Sequence, residues 1–423
     1  MRGYDRDQDT FRPAVLGFRR RGTVSTGGYR VIGREQHQYR QDGGHDHRRQ
    51  SALDHRQDTH EESKEEDAAA KVAAANKLIT NRWEFNIDIS AKLLNDNTDF
   101  LVVGVIGGQG AGKSSILNSI CGFSHFPKQS RGTAFPAAAY EQHLSGKHCT
   151  VGVDIRMSSD RVIALDTQPV LSASHLLELL DSPSPSMEIS RALTVSSGRG
   201  TRPAEASAEG VQLIMAIQMA VFLFNVCHVV LVVSNWMGDN GLLDLIECVD
   251  MFAPNIAKGM SQAGVSRVPH QLAKAVFVKS NVPPIDWEAS KVARVQRLLQ
   301  NKIGESKFCI GGHVSCWSDT RLQMPKSLAY IQKKDQVNFF VLPQARRSRR
   351  AEAPEPSQHQ VMLDRLKLQI LGINPSRKFD HGMTEREWFR WCESVWQGVQ
   401  KDNIIAECYF RLQQTIFSGG GGW

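Results

Sequence analysis

One strand–loop–helix unit constrains the fold of this chain more than any other feature. Phe100–Ile106 is a continuous apolar run of strand length, and it leads directly into the glycine-rich stretch Gly107–Ser114. The helical spacing of Ile116, Leu117 and Ile120 follows. A buried strand that enters a glycine loop and then a helix is typical of α/β proteins that bind phosphate groups.

The glycine stretch fits the pattern G-x-x-x-x-G-K-[ST], as Gly107-Gly108-Gln109-Gly110-Ala111-Gly112-Lys113-Ser114. Glycines let successive backbone N–H groups turn toward one phosphate chain, and the following helix directs its positive dipole end there. Lys113 can then reach the β- and γ-phosphates, and the Ser114 hydroxyl can ligate Mg²⁺. The alternative is a loop that keeps this shape and binds nothing.

A nucleotide-dependent switch also needs a threonine and a carboxylate near the metal. Thr150 or Thr133 is available to close over Mg²⁺ and the γ-phosphate. Asp166 ends an apolar strand, where its carboxylate can hold the water shell of the ion. We therefore predict a Mg²⁺ site formed by Ser114, Asp166 and Thr150.

Two parts of such a switch are replaced in this sequence. Gln168-Pro169 ends the segment in which Asp-x-x-Gly is expected, and proline lacks the N–H that usually bonds the γ-phosphate. Val278–Val282 stands in place of the base-reading Asn-Lys-x-Asp and has no carboxylate to bond guanine. Guanine and adenine therefore both stay open. We predict slow hydrolysis or none, and we assign no catalytic residue.

Apolar segments alternate with helical patterns along the chain, which predicts an α/β fold with a mostly parallel sheet and flanking helices. The further predicted strands are Thr150–Met157, Arg161–Leu165, His228–Val233, Ala275–Val278 and Val337–Pro343, and predicted helices include Leu242–Phe252 and Trp287–Leu299. Val211–Phe224 and the strand after it imitate a membrane span in length. Polar residues interrupt that run, so we predict a buried helix and then a central strand.

The composition divides the chain into regions. Residues 1–66 are rich in Arg, Gln, Asp, His and Gly, and blocks such as 36–42 and 45–50 hold almost no aliphatic side chains, so we predict a disordered tail. An Ala-rich run near Glu62–Leu78 favours helix. The predicted order after the tail is a helical lead-in at 67–98, a P-loop domain at 99–345, a basic and proline-rich loop at 346–357, and C-terminal helices packed on the domain at 358–417.

The C-terminal pattern predicts a capped amphipathic helix. Thr384–Glu387 is a capping box, in which the threonine hydroxyl and the glutamate carboxylate each bond a free N–H of the first turn. Trp388, Trp391 and Val395 recur at helical spacing and predict a core stripe. Trp396 lies off this stripe, and we predict that it contacts a partner.

Composition also excludes several classes of protein. The eight Cys form no CxxC motif, which argues against a zinc ribbon or a thioredoxin-type site. The first residues hold no apolar run typical of a secretory signal, so we expect an intracellular, cytoplasmic chain. A net charge of +7 over 423 residues is weak support for nucleic-acid binding. A direct RNA-binding protein would rest only on the tail and the basic cluster Arg346–Arg350.

Three further parts of the chain are distinctive. They are Ala164–Ser172, which includes the sequence Asp-Thr-Gln-Pro; Phe222–Val233 with the following Trp236; and Glu387–Phe389 with Val395–Val399. Together they closely resemble the SMG-nine family, in which the Asp-Thr-Gln-Pro variant is also found. The resemblance covers roughly residues 83 to 415. It implies a nonsense-mediated mRNA decay factor with a G-domain-like fold.

The resemblance also implies ligands and partners. Members of the family hold a nucleotide at the glycine loop, so it implies that Gly107 through Ser115 contact a purine nucleotide (GTP/GDP or ATP/ADP) with Mg²⁺. It implies a heterodimer with an SMG-eight-type G-domain subunit. It further implies that the pair regulates the phosphatidylinositol-3-kinase-related kinase that phosphorylates the up-frameshift helicase.

We therefore expect a nucleotide-binding regulatory and scaffold subunit, a pseudo-GTPase that acts with no membrane and needs no direct RNA contact. The alternative is a catalytically active GTPase or ATPase switch. Lys279–Asn281 departs from the Asn-Lys pair of the relatives, so the resemblance does not extend to base recognition.

Overall fold

The computed structural model describes residues 77–89, 95–123, 134–136, 146–181, 207–235, 239–262, 271–306, 311, 313–318, 336–345, 357–374, 379, 382–401 and 405. These residues lie in one compact unit, Ser63–Trp423. The predicted tail, most of the Ala-rich run, the basic cluster, Thr133 and Trp236 lie outside the described residues. The predicted domain boundaries stay predictions.

Seven strands form one mixed sheet in the described part of the chain: β1 (Lys77–Ile79), β2 (Leu101–Gly107), β3 (Val153–Met157), β4 (Val162–Thr167), β5 (Val229–Ser234), β6 (Lys274–Val282) and β7 (Phe339–Pro343). Their order is β1-β3-β4-β2-β5-β6-β7. Strands β4, β2, β5, β6 and β7 are parallel neighbours, whereas β3 is antiparallel to β4 and β1 is antiparallel to β3. The predicted α/β fold is confirmed. The turn Ser158–Arg161 between β3 and β4 is too short for a parallel crossover, which is why the sheet is mixed.

Seven helices surround the sheet in the residues described: α1 (Lys113–Ile120), α2 (Ala173–Asp181), α3 (Ala208–Val226), α4 (Asn240–Gln262), α5 (Ala289–Ile303), α6 (Gln358–Leu371) and α7 (Glu385–Lys401). Three short 3₁₀ helices lie at Ile87–Ile89, Pro284–Asp286 and Cys316–Ser318. Helix α1 packs against α6, and α3 packs against α4 and α7. The two groups of helices supply apolar faces on which the central strands pack; β2 is buried throughout, and β5 is buried except at Ser234.

Helix α3 is the apolar helix that imitates a membrane span. By length and composition it could cross a bilayer, but 89% of its apolar window is buried inside the protein. Apolar residues on every side of a helix suit a position in which neighbours cover it all round. The strand that follows, β5, lies between β2 and β6. The prediction of a buried helix followed by a central strand is confirmed.

The C-terminal helix α7 completes this core. Its predicted capping box is present, since Glu387 N–H donates to Thr384 Oγ1 at 3.2 Å and Thr384 N–H donates to Glu387 Oε2 at 2.9 Å. Trp388 Nε1 donates to the carbonyl of Val226 at 2.8 Å. This bond satisfies an acceptor at the end of α3 that the helix itself leaves open.

Two sequence predictions in this region are wrong. Lys77 and Leu78 were predicted as the end of a helix, but Lys77–Ile79 is a strand paired with β3. Trp396 was predicted to contact a partner, but it is only 1% exposed and packs edge-on against Trp83 and Phe222, with ring centroids 5.3 and 5.4 Å apart. The lead-in packs against α7 and buries a second side of that helix. The spacing of residues along one helix does not reveal such a contact.

Candidate phosphate-binding site

The glycine loop lies at the carboxyl edge of the sheet, where β2 ends. Strand β2 is central, and the chain leaves it for β3 and β4 on one side before crossing to β5 on the other. Ligands of open α/β sheets bind at such a change of direction, beyond the carboxyl ends of the strands. A cleft of about 430 Å³ opens at this edge, which is within the usual size range of small-molecule sites.

The local backbone explains why glycine is needed in this loop. At Gly107 an added Cβ would lie 2.0 Å from the carbonyl oxygen of Val233 on β5. Gly110 and Gly112 have φ of 71° and 87°, in the left-handed region that side chains disfavour. Helix α1 then begins at Lys113 without a side-chain cap. Its first N–H groups are therefore available at the cleft.

The Lys113 side chain folds back over the loop. Its Nζ donates to the carbonyls of Gly107 and Gly108 at 3.1 and 3.0 Å, and only 7% of the residue is exposed. Burial lowers the pKa of Lys113 to about 8, and the opposing attraction of Asp166 is smaller. A phosphate chain would offer this ammonium group better acceptors than the two loop carbonyls.

The structure brings the three predicted metal ligands together. Asp166 is the second-last residue of β4 and is fully buried, and its Oδ2 accepts hydrogen bonds from Ser114 Oγ at 2.7 Å and Thr150 Oγ1 at 3.0 Å. Ser114 lies in the first turn of α1, and Thr150 precedes β3. Residues from three separate segments therefore converge at this carboxylate.

The donor set fits a Mg²⁺ ion. Burial raises the pKa of Asp166 to about 6, although the two hydroxyl bonds and Lys113 oppose the rise. Its Oδ1 is buried and has no hydrogen-bond partner among the described residues. A nearby cation would stabilise the ionised form of such a buried carboxylate. Hydroxyl and carboxylate oxygens are ligands that suit Mg²⁺. No group of three or more His, Cys, Asp or Glu that could hold a metal occurs in the described ranges.

Gln168 and Pro169 have different positions. The Gln168 amide accepts from Gly152 N–H at 2.8 Å and lies 3.3 Å from His175 Nε2, so it braces the start of β3. Its side chain is buried, and the residue does not line the cleft. Pro169 lines the cleft. The Gln168 side chain is therefore held by contacts within the protein and is not directed toward a bound phosphate.

The opposite end of the cleft contains amides and hydroxyls. Ser280 Oγ donates to the carbonyl of Ala111 at 2.8 Å and contacts Asn235 Oδ1 at 2.6 Å, while Asn235 Nδ2 donates to the carbonyl of Gly110 at 3.1 Å. Asn281 Nδ2 donates to Asn235 Oδ1 at 3.3 Å. The ends of β5 and β6 are thus bonded to the glycine loop. Asn235 is not among the residues predicted from the sequence, although a polar residue directly after a buried strand is a usable signal.

Most of the predicted nucleotide contacts face the cleft. The predicted contact residues that line it are Gln109, Gly110, Ala111, Gly112, Lys113, Ser114 and Ser115. Gly107 and Gly108 lie beneath the loop and offer their carbonyls to Lys113. Lys147–Thr150 forms a second wall. The arrangement can bind a phosphate chain at one end and a polar, uncharged group at the other.

Fold and cleft together define an α/β protein with a glycine loop at the carboxyl edge of a mixed sheet. The chain is 27% identical over 351 residues to "Nonsense-mediated mRNA decay factor SMG9" of Xenopus tropicalis, a match that covers 77% of this chain and 64% of that protein. It is 27% identical over 370 residues to the Salmo salar protein of the same name, covering 81% and 68%. The Caenorhabditis elegans protein of that name is 26% identical over 232 residues, covering 55% and 53%.

These matches confirm the resemblance to the SMG-nine family. The matched part of the chain spans less than two thirds of the length of the Xenopus relative and about half of the nematode one. No family model matches the chain.

Proposed function

We propose that this chain is a nucleotide-binding regulatory subunit in nonsense-mediated mRNA decay, with a purine nucleotide and Mg²⁺ in the cleft beside the glycine loop. The observation that carries the proposal is the convergence of Ser114 and Thr150 on the buried Asp166, next to a loop that offers backbone N–H groups. The role in decay is supported by the names of the relatives, each a nonsense-mediated mRNA decay factor.

Each group of the cleft has a role in this proposal. The N–H groups at the start of α1 bind phosphate oxygens. The Lys113 ammonium group leaves the carbonyls of the loop and bonds the same phosphate chain. Ser114, Thr150 and Asp166 hold the ion, the last through its water shell. When bound, Mg²⁺ neutralises part of the phosphate charge. Asn235 and Ser280 fix the far end of the loop.

The fold assignment that fits these roles best is a G-domain-like P-loop domain. A central strand followed by the glycine loop supports it, and so does the strand order around it. Gln168 is engaged with Gly152, and Pro169 has no N–H to offer. Both features favour a pseudo-GTPase that binds nucleotide with little or no hydrolysis.

The resemblance to the SMG-nine family extends the proposal to partners. The chain pairs in the cytoplasm with an SMG-eight-type subunit, and the pair binds and regulates the phosphatidylinositol-3-kinase-related kinase that phosphorylates the up-frameshift helicase. Co-purification from cells should recover both proteins with this chain. A stable monomer beside both purified proteins in gel filtration would contradict this part.

A second candidate function is an active GTPase or ATPase switch. It is favoured by the intact set of Lys113, Ser114 and Asp166, which positions a phosphate chain and a metal. Steady turnover of GTP or ATP by pure protein, abolished in Lys113→Ala, would establish this candidate and refute the pseudo-GTPase.

Binding itself is tested by titrating fluorescent GTP and ATP analogues into the full chain with and without Mg²⁺. Lys113→Ala should bind at least about tenfold more weakly, because a charge-assisted contact contributes about 1.5–3 kcal/mol. Lys401→Ala is a matched control, since Lys401 ends α7 on the exposed surface. Equal affinity in the wild type and Lys113→Ala would refute the proposed site.

A further inference from the structure

Gln109 is the residue of the glycine loop whose side chain crosses to both neighbouring segments. Its Nε2 donates to the carbonyl of Gly146 at 2.8 Å, and its Oε1 accepts from Ser174 Oγ at 2.7 Å. The motif leaves this position free, so the loop conformation does not require glutamine. A single side chain thus joins the loop, the segment before β3 and helix α2.

The bond to Ser174 continues into a longer chain of contacts. Ser174 Oγ lies 2.9 Å from His148 Nδ1, and His148 Nε2 lies 3.3 Å from Glu178 Oε2 on the next turn of α2. Because Ser174 gives its one hydroxyl hydrogen to Gln109, His148 Nδ1 must be the donor to Ser174. The His148 side chain is only 2% exposed. The segment that holds His148 is therefore bonded to α2 as well as to the loop.

One of the two joined segments is a wall of the cleft. Lys147–Thr150 lines the cleft, and Thr150 bonds Asp166. Helix α2 does not line the cleft, but Ser174 connects it to this wall through His148. The helix begins at Ala173 and has its own cap, since His175 N–H donates to Ser172 Oγ at 3.3 Å. Ser174 is thus not needed as a cap, and its hydroxyl contacts Gln109, His148 and, at 3.4 Å, Ser172 Oγ.

We propose that Gln109 is a positioning residue that holds Gly146–Thr150 closed over the phosphate end, both directly and through Ser174 of α2, so that a bound nucleotide leaves slowly. The inference rests on the proposed nucleotide site for its effect on release. The closing contacts themselves lie within the protein and need no ligand. Loss of both hydrogen bonds should speed dissociation about tenfold, because each is a modest, partly exposed contact. Association should change less than about threefold, because the loop N–H groups and Lys113 remain.

The release test uses stopped-flow displacement of a fluorescent nucleotide from the full chain. Gln109→Ala should release it about tenfold faster than the wild type, and Ser174→Ala should also release it faster. The effect of the double variant should be smaller than the product of the two single effects, because the two residues share one contact. Gln397→Ala is the matched control, since Gln397 lies on the exposed side of α7, where its Nε2 donates to Glu393 Oε1. Wild-type release rates in Gln109→Ala would overturn the proposal.

A second measurement does not depend on nucleotide. In ligand-free protein, amide hydrogen exchange should accelerate in Ala173–Asp181 and in 146–150 for Gln109→Ala, while β5 and β6 stay unchanged. If the wild type binds no nucleotide, the proposed function fails and this exchange result still decides whether Gln109 holds the two segments in place. Unchanged exchange in both segments would refute the closing role even if nucleotide binds.

Discussion

Replacing Asp166 by Asn should stabilise the ligand-free protein at neutral pH. Asp166 is fully buried, and burial raises its pKa from 3.8 to about 6. A pKa that is higher in the folded protein means that folding favours the protonated form. The wild type therefore loses stability as pH rises from about 4 to about 6, and the loss is complete above that range.

The magnitude follows from the two pKa values. Each unit of difference is about 1.4 kcal/mol, so the ionised carboxylate costs roughly 3 kcal/mol at pH 7.5 and about half of that at pH 5. An Asn amide can still accept from Ser114 and Thr150. Its NH₂ would occupy the place of Oδ1 without an acceptor, which costs about 1 kcal/mol. We expect a net gain of about 2 kcal/mol at pH 7.5 and a small gain at pH 5.

Urea unfolding of the ligand-free full chain at both pH values measures this difference. Asp96→Asn is the control, because the Asp96 side chain is 73% exposed. Asp166→Asn should also lose the Mg²⁺-dependent part of nucleotide affinity, since the carboxylate no longer attracts the ion. A variant that is less stable than the wild type at pH 7.5, or equally changed at both pH values, would refute the electrostatic account of this site.

Three further predictions concern the loop and the core. Because burial lowers the pKa of Lys113 to about 8 and phosphate binding favours its protonated form, tripolyphosphate affinity should fall as pH rises above 8; a flat titration between pH 7.5 and 9.5 would contradict this. Gly107→Ala would place a Cβ 2.0 Å from the Val233 carbonyl and should cost about 3 kcal/mol or more in urea unfolding; a loss under 1 kcal/mol would be inconsistent with the contact. Trp388→Phe removes the donor to Val226 and should cost about 1–2 kcal/mol in the same assay, against no loss if the bond is unimportant.

The central part of the fold follows from local patterns in the sequence. The apolar runs of β2 and β5 and the capping box of α7 are local signals, because burial on both faces and free helix N–H groups each select particular residues. The pairing of β1 with β3 is different, because it depends on which distant segment reaches the edge of the sheet. The prediction for Trp396 is wrong for the same reason, because Trp83, which is distant in sequence, packs against it.

The candidate site divides in a similar way. Lys113 and Ser114 belong to one contiguous motif, so their places could be predicted from spacing alone. Asn235 and Ser174 act through hydrogen bonds to loops distant in sequence, and neither belongs to a fixed pattern. Gln109 is within the motif, but the pattern treats its position as free. Its contacts become visible only when the neighbouring segments are in place.

Calorimetric titration of Mg²⁺ with GTP, and separately with ATP, into the purified full chain tests the proposed nucleotide binding most directly. We predict one site for at least one of the two nucleotides, weakened about tenfold or more in Lys113→Ala and dependent on Mg²⁺ in the wild type but not in Asp166→Asn. The absence of heat and of any thermal stabilisation with both nucleotides, in protein that is folded by circular dichroism, would contradict the account.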